Sequence, residues 1–360
     1  MLTQHTTTMT ITDLNTKTSK ICCIADLHIG VHQNNSLWHD IALKWATWLK
    51  ADLEEKNIHD IFILGDVYHY RDEVAVNTMH IVNQIFSLWK DFNITILVGN
   101  HDAYYKDNST VNSLSLLNGK NKIRVIDTTQ TFTLYGKTVT FLPWGASLSE
   151  IPKSDILFGH LEVESFKMNS YKLCEHGIKT QSLFDKARLI MTGHFHLREE
   201  RQYDNGTIIY VGNPYEMDYG DYNSKKGYYI LDVNDLSYNF YENTVSPKHS
   251  KVTVTELQQY KKDKKDIKDL FTNNIVRIIV DGKHAVDDID KAIKYASDFD
   301  SINLSIDYSL HDNTIGINET ISTSNSVDLE QTLREFIETL DIQNKKEIEL
   351  YCIDILKKVK

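Results

Sequence analysis

The sequence predicts a layered α/β fold, with two sheets packed together and helices outside. Two observations carry this. Short apolar runs alternate with helix-length segments as far as about Val98, the pattern of βαβ units and a largely parallel sheet. From about Lys122 the runs become β-like and closely set, which indicates a second sheet with shorter connections.

In chain order, Ile21–Ala25 is the first apolar run. Leu37–Leu53 has helical spacing, with Leu37, Ile41, Trp45 and Trp48 on one stripe. Asp60–Leu64 and Ile94–Val98 are further strands, separated by a helical pattern over Val74–Trp89. Ile123–Ile126, Thr131–Tyr135 and Thr138–Leu142 follow, with Gly136 in a hairpin turn. Ile156–Phe158, Leu189–Met191, Thr207–Val211 and Gly227–Leu231 complete the second half. After Pro247 the composition turns lysine-rich, from Lys248 to Asp269. Ile275–Val280, Val286–Ala296 and Ile302–Tyr308 then form a compact β-α-β pattern. Residues 313–326 are small and polar, hence a linker. Two amphipathic helical stripes end the chain. The first holds Val327, Leu333, Phe336, Ile337 and Leu340; the second holds Ile348, Tyr351, Cys352, Ile355, Leu356 and Val359.

With 360 residues, the length suggests about two domains at roughly 150 residues each. No apolar run approaches the ~18 residues of a membrane span, so no membrane partner is expected. Residues 1–19 are Thr-rich and polar, without the basic and apolar parts of a signal peptide; a disordered extension is the expectation. Cys22, Cys23, Cys174 and Cys352 show no C-x-x-C spacing, which fits a reducing cytoplasm and argues against a thiolate zinc site. Cys22 and Cys23 should face opposite sides of one strand. A net charge of −11 argues against a surface built throughout for nucleic acid, but not against a local positive site.

The chemistry lies in short motifs at strand ends: Asp26-Leu27-His28, Gly65-Asp66, Gly99-Asn100-His101-Asp102, Gly159-His160, and Gly193-His194-Phe195-His196. That edge of an α/β sheet is where ligands bind. Spacing by two in an extended backbone puts Asp26 and His28 on one side, and likewise His194 and His196. A donor set of Asp, His and Asn without Cys suits Mn²⁺, Fe²⁺ or Zn²⁺ and disfavours all-oxygen Mg²⁺ or Ca²⁺ cages. The set is too large for one ion, so two are expected. Two such ions would make the site locally positive and attractive to a phosphate.

This series, D-x-H…GD…GNHD…GH…GHxH, resembles the calcineurin-like metallophosphoesterases. That resemblance implies a four-layer α/β sandwich around a two-metal site. Asp102 in place of Glu, and His69 where purple acid phosphatases need Tyr, separate the chain from two phosphatase branches. Gly65-Asp66-Val67-Tyr68-His69 and Val211–Glu216 are similar to segments of the SbcD-like DNA repair nucleases, and the short length resembles their phage form. The resemblance implies that Asp26, His28 and His196 hold one ion. Asn100, His160 and His194 hold the other, and Asp66 bridges them. It also implies that His101 contacts the scissile phosphate, with His69 near the substrate. Asp102 either orients His101 or caps its loop.

By the same resemblance, 20–246 is a nuclease domain and 247–312 a small α+β DNA-binding capping domain. Residues 313–326 are the linker, and 327–360 are helices docking on an SbcC-like ATPase. Val74–Trp89 and Ser109–Leu117 lie where relatives form homodimers. The implied activity is Mn²⁺-dependent: 3′-to-5′ exonuclease action on duplex ends and endonuclease action on single strands. A phosphoesterase for a small molecule or a phosphoprotein is the competing enzyme class. A non-catalytic scaffold is disfavoured, because no expected ligand is missing. The lysine-rich stretch reads either as a solvated helix face or as a DNA-backbone contact. The terminal stripes read either as packing on the chain's own core or as docking on a partner.

Overall fold

A computed structural model describes residues 12–14, 16–169 and 171–308, with 337, 345, 346, 348, 352 and 353 as isolated positions. A second compact unit begins at Asp312. The linker 313–326 and nearly all of both terminal stripes therefore lie outside the described residues. Among the described residues, no helix is long and apolar enough to cross a membrane.

Two sheets face each other. The six-stranded sheet runs β13 (Ser237–Glu242), β12 (Gly227–Asp232), β2 (Lys20–Ile24), β3 (Asp60–Ile63), β4 (Asn93–Leu97), β5 (Ile123–Ile126). Its β2 to β5 are parallel, and β12 is antiparallel to both neighbours. The seven-stranded sheet runs β1 (Thr12–Asp13), β6 (Gln130–Leu134), β7 (Lys137–Leu142), β8 (Ser154–His160), β9 (Ala187–Gly193), β11 (Gly206–Tyr210), β10 (Glu199–Tyr203). Tyr135 and Gly136, at φ 50° and 75°, make the two-residue turn between β6 and β7, the hairpin that matches strand twist.

Strand alternation builds the layers. Cys23, Phe62 and Leu97 face the other sheet and meet Phe141, Phe158 and Met191; Phe62 packs edge-on to Phe141 at 5.3 Å and to Phe158 at 5.2 Å. Cys22, Ile61 and Ile96 face the other way, onto helices Ser36–Glu55 and Val76–Leu88. Trp38, Ile41, Trp45 and Leu49, at helical spacing, cover them. Beyond the seven-stranded sheet, Leu157, Ile190 and Tyr210 pack under Leu183 of the short helix Thr180–Phe184. The result is an α/β sandwich.

A third, fully parallel sheet joins β14 (His249–Thr253), β15 (Ile275–Ile279) and β16 (Asn303–Asp307). Helix Val254–Asp263 starts from a capping box between Thr253 and Glu256, the sequence signature of a helix start. With helix Val286–Ala296 it covers Val276 and Ile278. In the lysine-rich stretch, Lys265 lies 4.1 Å from the Tyr260 ring and Lys261 5.4 Å from that of Tyr295.

One expectation is corrected. Residues 1–19 are not wholly a loose extension. Thr12 and Asp13 pair parallel with Phe132 and Thr133 as an edge strand. The Leu14 N–H reaches the Thr133 carbonyl at 3.2 Å, and its side chain is buried between the sheets. One apolar residue and an open sheet edge suffice to hold this piece.

Candidate metal centre

The motifs meet where the parallel strands of both sheets end. Two glycines permit it. Gly65 has φ 97°, and a Cβ there would lie 2.2 Å from His160 Nδ1. A Cβ on Gly99 would lie 2.2 Å from Asp66 Oδ1. Only a residue without a side chain fits either place.

The backbone at the centre is not extended, which corrects the spacing argument. Asp26, His28, Asp66 and His194 have φ of 54°, 44°, 56° and 91°. Each costs about 1–2 kcal/mol in the left-handed region, and strain of this kind gathers at functional sites. It is supported by a lattice of bonds. Asp26 N–H donates to the Gly65 carbonyl and His28 N–H to that of Asp66, both at 3.0 Å. His194 N–H donates to Asp26 Oδ1 at 3.0 Å.

The ring nitrogens are then sorted by their outer partners. His160 Nδ1–H donates to the Leu64 carbonyl at 2.8 Å, so its Nε2 faces inward, 2.8 Å from Asn100 Oδ1 and 3.4 Å from Asp66 Oδ2. His194 Nε2–H donates to Glu162 Oε1 at 3.1 Å, so its Nδ1 faces Asn100 Oδ1 at 2.7 Å. Lone pairs from Asn100, His160, His194 and Asp66 therefore converge. On the other side of Asp66, His28 Nε2 lies 3.5 Å from Asp66 Oδ2 and 2.9 Å from His196 Nε2. The ligand atoms of Asp26, His28 and His196 lie within 4.8 Å of one another, as do those of Asp26, Asp66 and His160. Converging acceptors with their other nitrogens tied off are what a metal ion needs; the cluster fits a metal site.

Charge supports the same fit. Burial holds His28, His194 and His196 below the ordinary imidazole range, so they are neutral, as ligands must be. Burial, with the nearby charges of Asp66 and Asp102, pushes Asp26 up to about 8, although His160 opposes this. Burial alone would lower His160, but Asp66 raises it to about 9. These protons must leave when a cation takes their place. Calorimetric titration of Mn²⁺ at pH 7, in buffers of differing ionisation enthalpy, should therefore show proton release from Asp26 and His160. Affinity should rise as pH climbs through about 8 to 9. Binding independent of both buffer and pH would contradict this.

The remaining candidates fall around this core. His101 Nδ1–H donates to the His69 carbonyl, and its ring lies 4.7 Å from that of His28. His69 sits at the rim, with Nδ1 3.3 Å from His28 Nδ1. Burial, then His101 and His196, lower it to about 4. Asp102 does not orient the His101 ring. Its carboxylate accepts the backbone N–H groups of Asp66, Val67, Tyr68 and Gly99 at 2.8 to 3.1 Å. Of the two roles the sequence left open, this is the loop cap.

Residues missed in the sequence also contribute. Glu162 carries the outer hydrogen bond of His194; its place two residues past His160 was the available signal. Trp144 stacks on His194 at 5.1 Å, and Arg71 Nε donates to the Asn100 carbonyl at 2.9 Å. Neither had a local signal.

The sequence profile of the calcineurin-like phosphoesterases matches residues 19–198, which is half of the chain and spans every motif above. The chain belongs to that family. It is also similar to "Exonuclease subunit 1" of Enterobacteria phage T4, at 28% identity over 273 residues, covering 72% of this chain and 76% of the relative. Among solved structures it is similar to an archaeal phosphodiesterase (TM-score 0.34, 14% identity, 62% of this chain and 99% of that one). A second is a hypothetical protein from Pyrococcus horikoshii OT3 (TM-score 0.35, 10% identity, 69% and 94%). A metal-dependent phosphoesterase is the activity class that family and site share.

Proposed function

We propose that the chain is a Mn²⁺-dependent DNA nuclease, with Fe²⁺ or Zn²⁺ as alternative ions. It acts as a 3′-to-5′ exonuclease on duplex ends and as an endonuclease on single strands, as the nuclease subunit of a recombination and repair complex. The observation that carries the DNA assignment is the similarity to the phage exonuclease subunit over 72% of the chain.

Asp26, His28 and His196 would hold one ion, Asn100, His160 and His194 the other, and Asp66 would serve both. Such ions supply Lewis-acid polarisation of a phosphate and a lowered water pKa. The chain's own groups do the rest. Asp102 fixes the Gly65–Tyr68 loop against Gly99, so that Asp66 and Asn100 keep their places. With its Nδ1–H given to the His69 carbonyl, His101 would turn its Nε2 to the scissile phosphate and the departing 3′ oxygen. His69 shields that ring and lies near the substrate. His101→Ala should keep both ions and lose about 10²–10⁴-fold in rate. Metal analysis beside kinetics checks this; one ion in the variant would make His101 a ligand instead.

The partners follow as proposals. DNA would lie against the capping region 247–312, where the lysine-rich stretch offers cations. An SbcC-like ATPase would take 327–360. A homodimer would form through Val74–Trp89 and Ser109–Leu117, which expose Val76, Met79, Val111 and Leu116. Digestion of end-labelled duplex DNA and of circular single strands with Mn²⁺, beside an aryl phosphodiester, tests the substrate. Shortening of the duplex is expected. Cleavage of the aryl ester alone would move the assignment to a small-molecule phosphodiesterase.

A further inference from the structure

Three of the candidate ligands sit on two loops that strand pairing does not fix. Asp26 and His28 lie on the turn after β2, and His196 lies beyond the end of β9. The chain that follows β11, from Gly212 to Lys226, carries no candidate ligand, yet it reaches both loops. Gly212 has φ 74°, and a Cβ there would lie 2.7 Å from the His196 carbonyl oxygen and 2.8 Å from the Arg198 nitrogen. Only glycine lets the two chains pass this closely. The next N–H, that of Asn213, donates to the His196 carbonyl at 3.2 Å. The Lys226 ammonium donates to the same oxygen at 2.9 Å. The Tyr215 hydroxyl donates to the Leu27 carbonyl at 2.7 Å. That carbonyl lies between Asp26 and His28, whose left-handed backbone persists only where its surroundings hold it.

The holding groups are themselves tied together. Lys226 also donates to Asn213 Oδ1 and, at 2.6 Å, to Asp221 Oδ1, so its three protons are all used. Asp221 Oδ2 accepts the Asn213 side-chain N–H at 2.8 Å and the Met217 N–H at 2.9 Å. Asn213, Tyr215, Asp221 and Lys226 are all buried. The Tyr215 ring meets Trp45 of helix Ser36–Glu55 edge-on at 5.7 Å, which seats the hydroxyl. A buried ion pair adds little stability over apolar side chains of the same volume. What Lys226 adds here, and an apolar side chain could not, is a fixed carbonyl at His196.

The reach of this clamp is one-sided. Among the described residues, the side-chain hydrogen bonds of Asn213, Tyr215, Asp221 and Lys226 extend to Leu27 and His196, and none extends to Asn100, His160 or His194.

We propose that Asn213, Tyr215, Asp221 and Lys226 are positioning residues for one ion alone, the ion assigned to Asp26, His28 and His196. The proposal rests on that two-ion assignment. With the clamp intact, the three ligands are set before the ion arrives. Without it, the ion must order them as it binds, which lowers its affinity. Outer partners of this kind are worth about 10–100-fold in metal affinity.

Calorimetric titration of the full chain with Mn²⁺, beside electron paramagnetic resonance at each Mn²⁺ level, tests this. The parent should bind two ions and end with the spectrum of a coupled pair. Tyr215→Phe keeps the ring against Trp45 and removes only the hydroxyl. It should weaken one binding event by about tenfold or more and leave the other unchanged, so that the spectrum of an isolated ion persists to higher Mn²⁺. Lys226→Met joined to Asp221→Asn removes both charges together, so that neither is stranded, and should weaken the same event. Glu162→Ala, at the outer bond of His194, should weaken the other event, and joined to Tyr215→Phe it should weaken both. If Tyr215→Phe or the paired change weakens both events equally or neither, or the same event as Glu162→Ala, the clamp is overturned and the two-ion centre stands. A parent that binds a single ion overturns the two-ion assignment, and the clamp with it.

Discussion

Asp66→Asn is expected to lower Mn²⁺-dependent hydrolysis by about 10³-fold or more. The carboxylate is divided between two tasks. Oδ1 accepts the His101 N–H at 2.8 Å, which fixes its plane. Oδ2 stands between His28 and His160, at 3.5 and 3.4 Å. Burial alone would raise its pKa. His160 most of all, then His28 and His101, hold it well below the ordinary carboxylate range, so it is charged at neutral pH. Asn keeps the shape and tolerates φ 56°, so the loss reports charge and ligation, not collapse. Loss of an outer partner alone costs about 10–100-fold in metal affinity, and loss of a shared ligand should cost more at both ions. Rates with rising Mn²⁺, together with metal content after gel filtration, check this. Full activity restored by added Mn²⁺ would refute the shared role.

Asp102→Ala should be the most destabilising single change at the site, although Asp102 touches no candidate ion. Four backbone N–H groups converge on its two oxygens, and the side chain is buried. Removing the acceptor strands those amides at about 1–3 kcal/mol each before relaxation. A net loss of about 3–5 kcal/mol is expected, which lowers Tm by about 4–7 °C at this size. Activity should fall with it, because the Asp66 and Asn100 loops lose their common anchor. Asp102→Asn retains one acceptor oxygen and should fall between. Thermal unfolding of the three proteins decides the matter; an unchanged Tm for Asp102→Ala would contradict the clamp.

The strands were legible because buried parallel strands are short apolar runs closed by glycine and a polar residue, as in Ile61–Asp66 and Ile94–Asn100. The convergence of Asp26, Asp66, Asn100, His160 and His194 followed from strand ends alone. The left-handed backbone at Asp26, His28 and His194 did not, since nothing in D-x-H or GHxH distinguishes it from extended chain. The partner of Asp102 was equally hidden: a carboxylate that caps backbone amides and one that orients a ring look the same in sequence. Thr12–Asp13 carries no apolar alternation, so its pairing with β6 left no trace. Trp144 reaches His194 across the fold from a loop after β7, a contact that only tertiary structure creates.

Anomalous diffraction from crystals grown with Mn²⁺ tests the two-ion centre most directly. Two peaks are predicted, on either side of the Asp66 carboxylate. One should lie among Asp26, His28 and His196, and the other among Asn100, His160 and His194. The ligand atoms of His28, His69 and His101 also lie within 4.8 Å of one another. A single peak, or a peak among those three with none beside Asn100, would contradict the account.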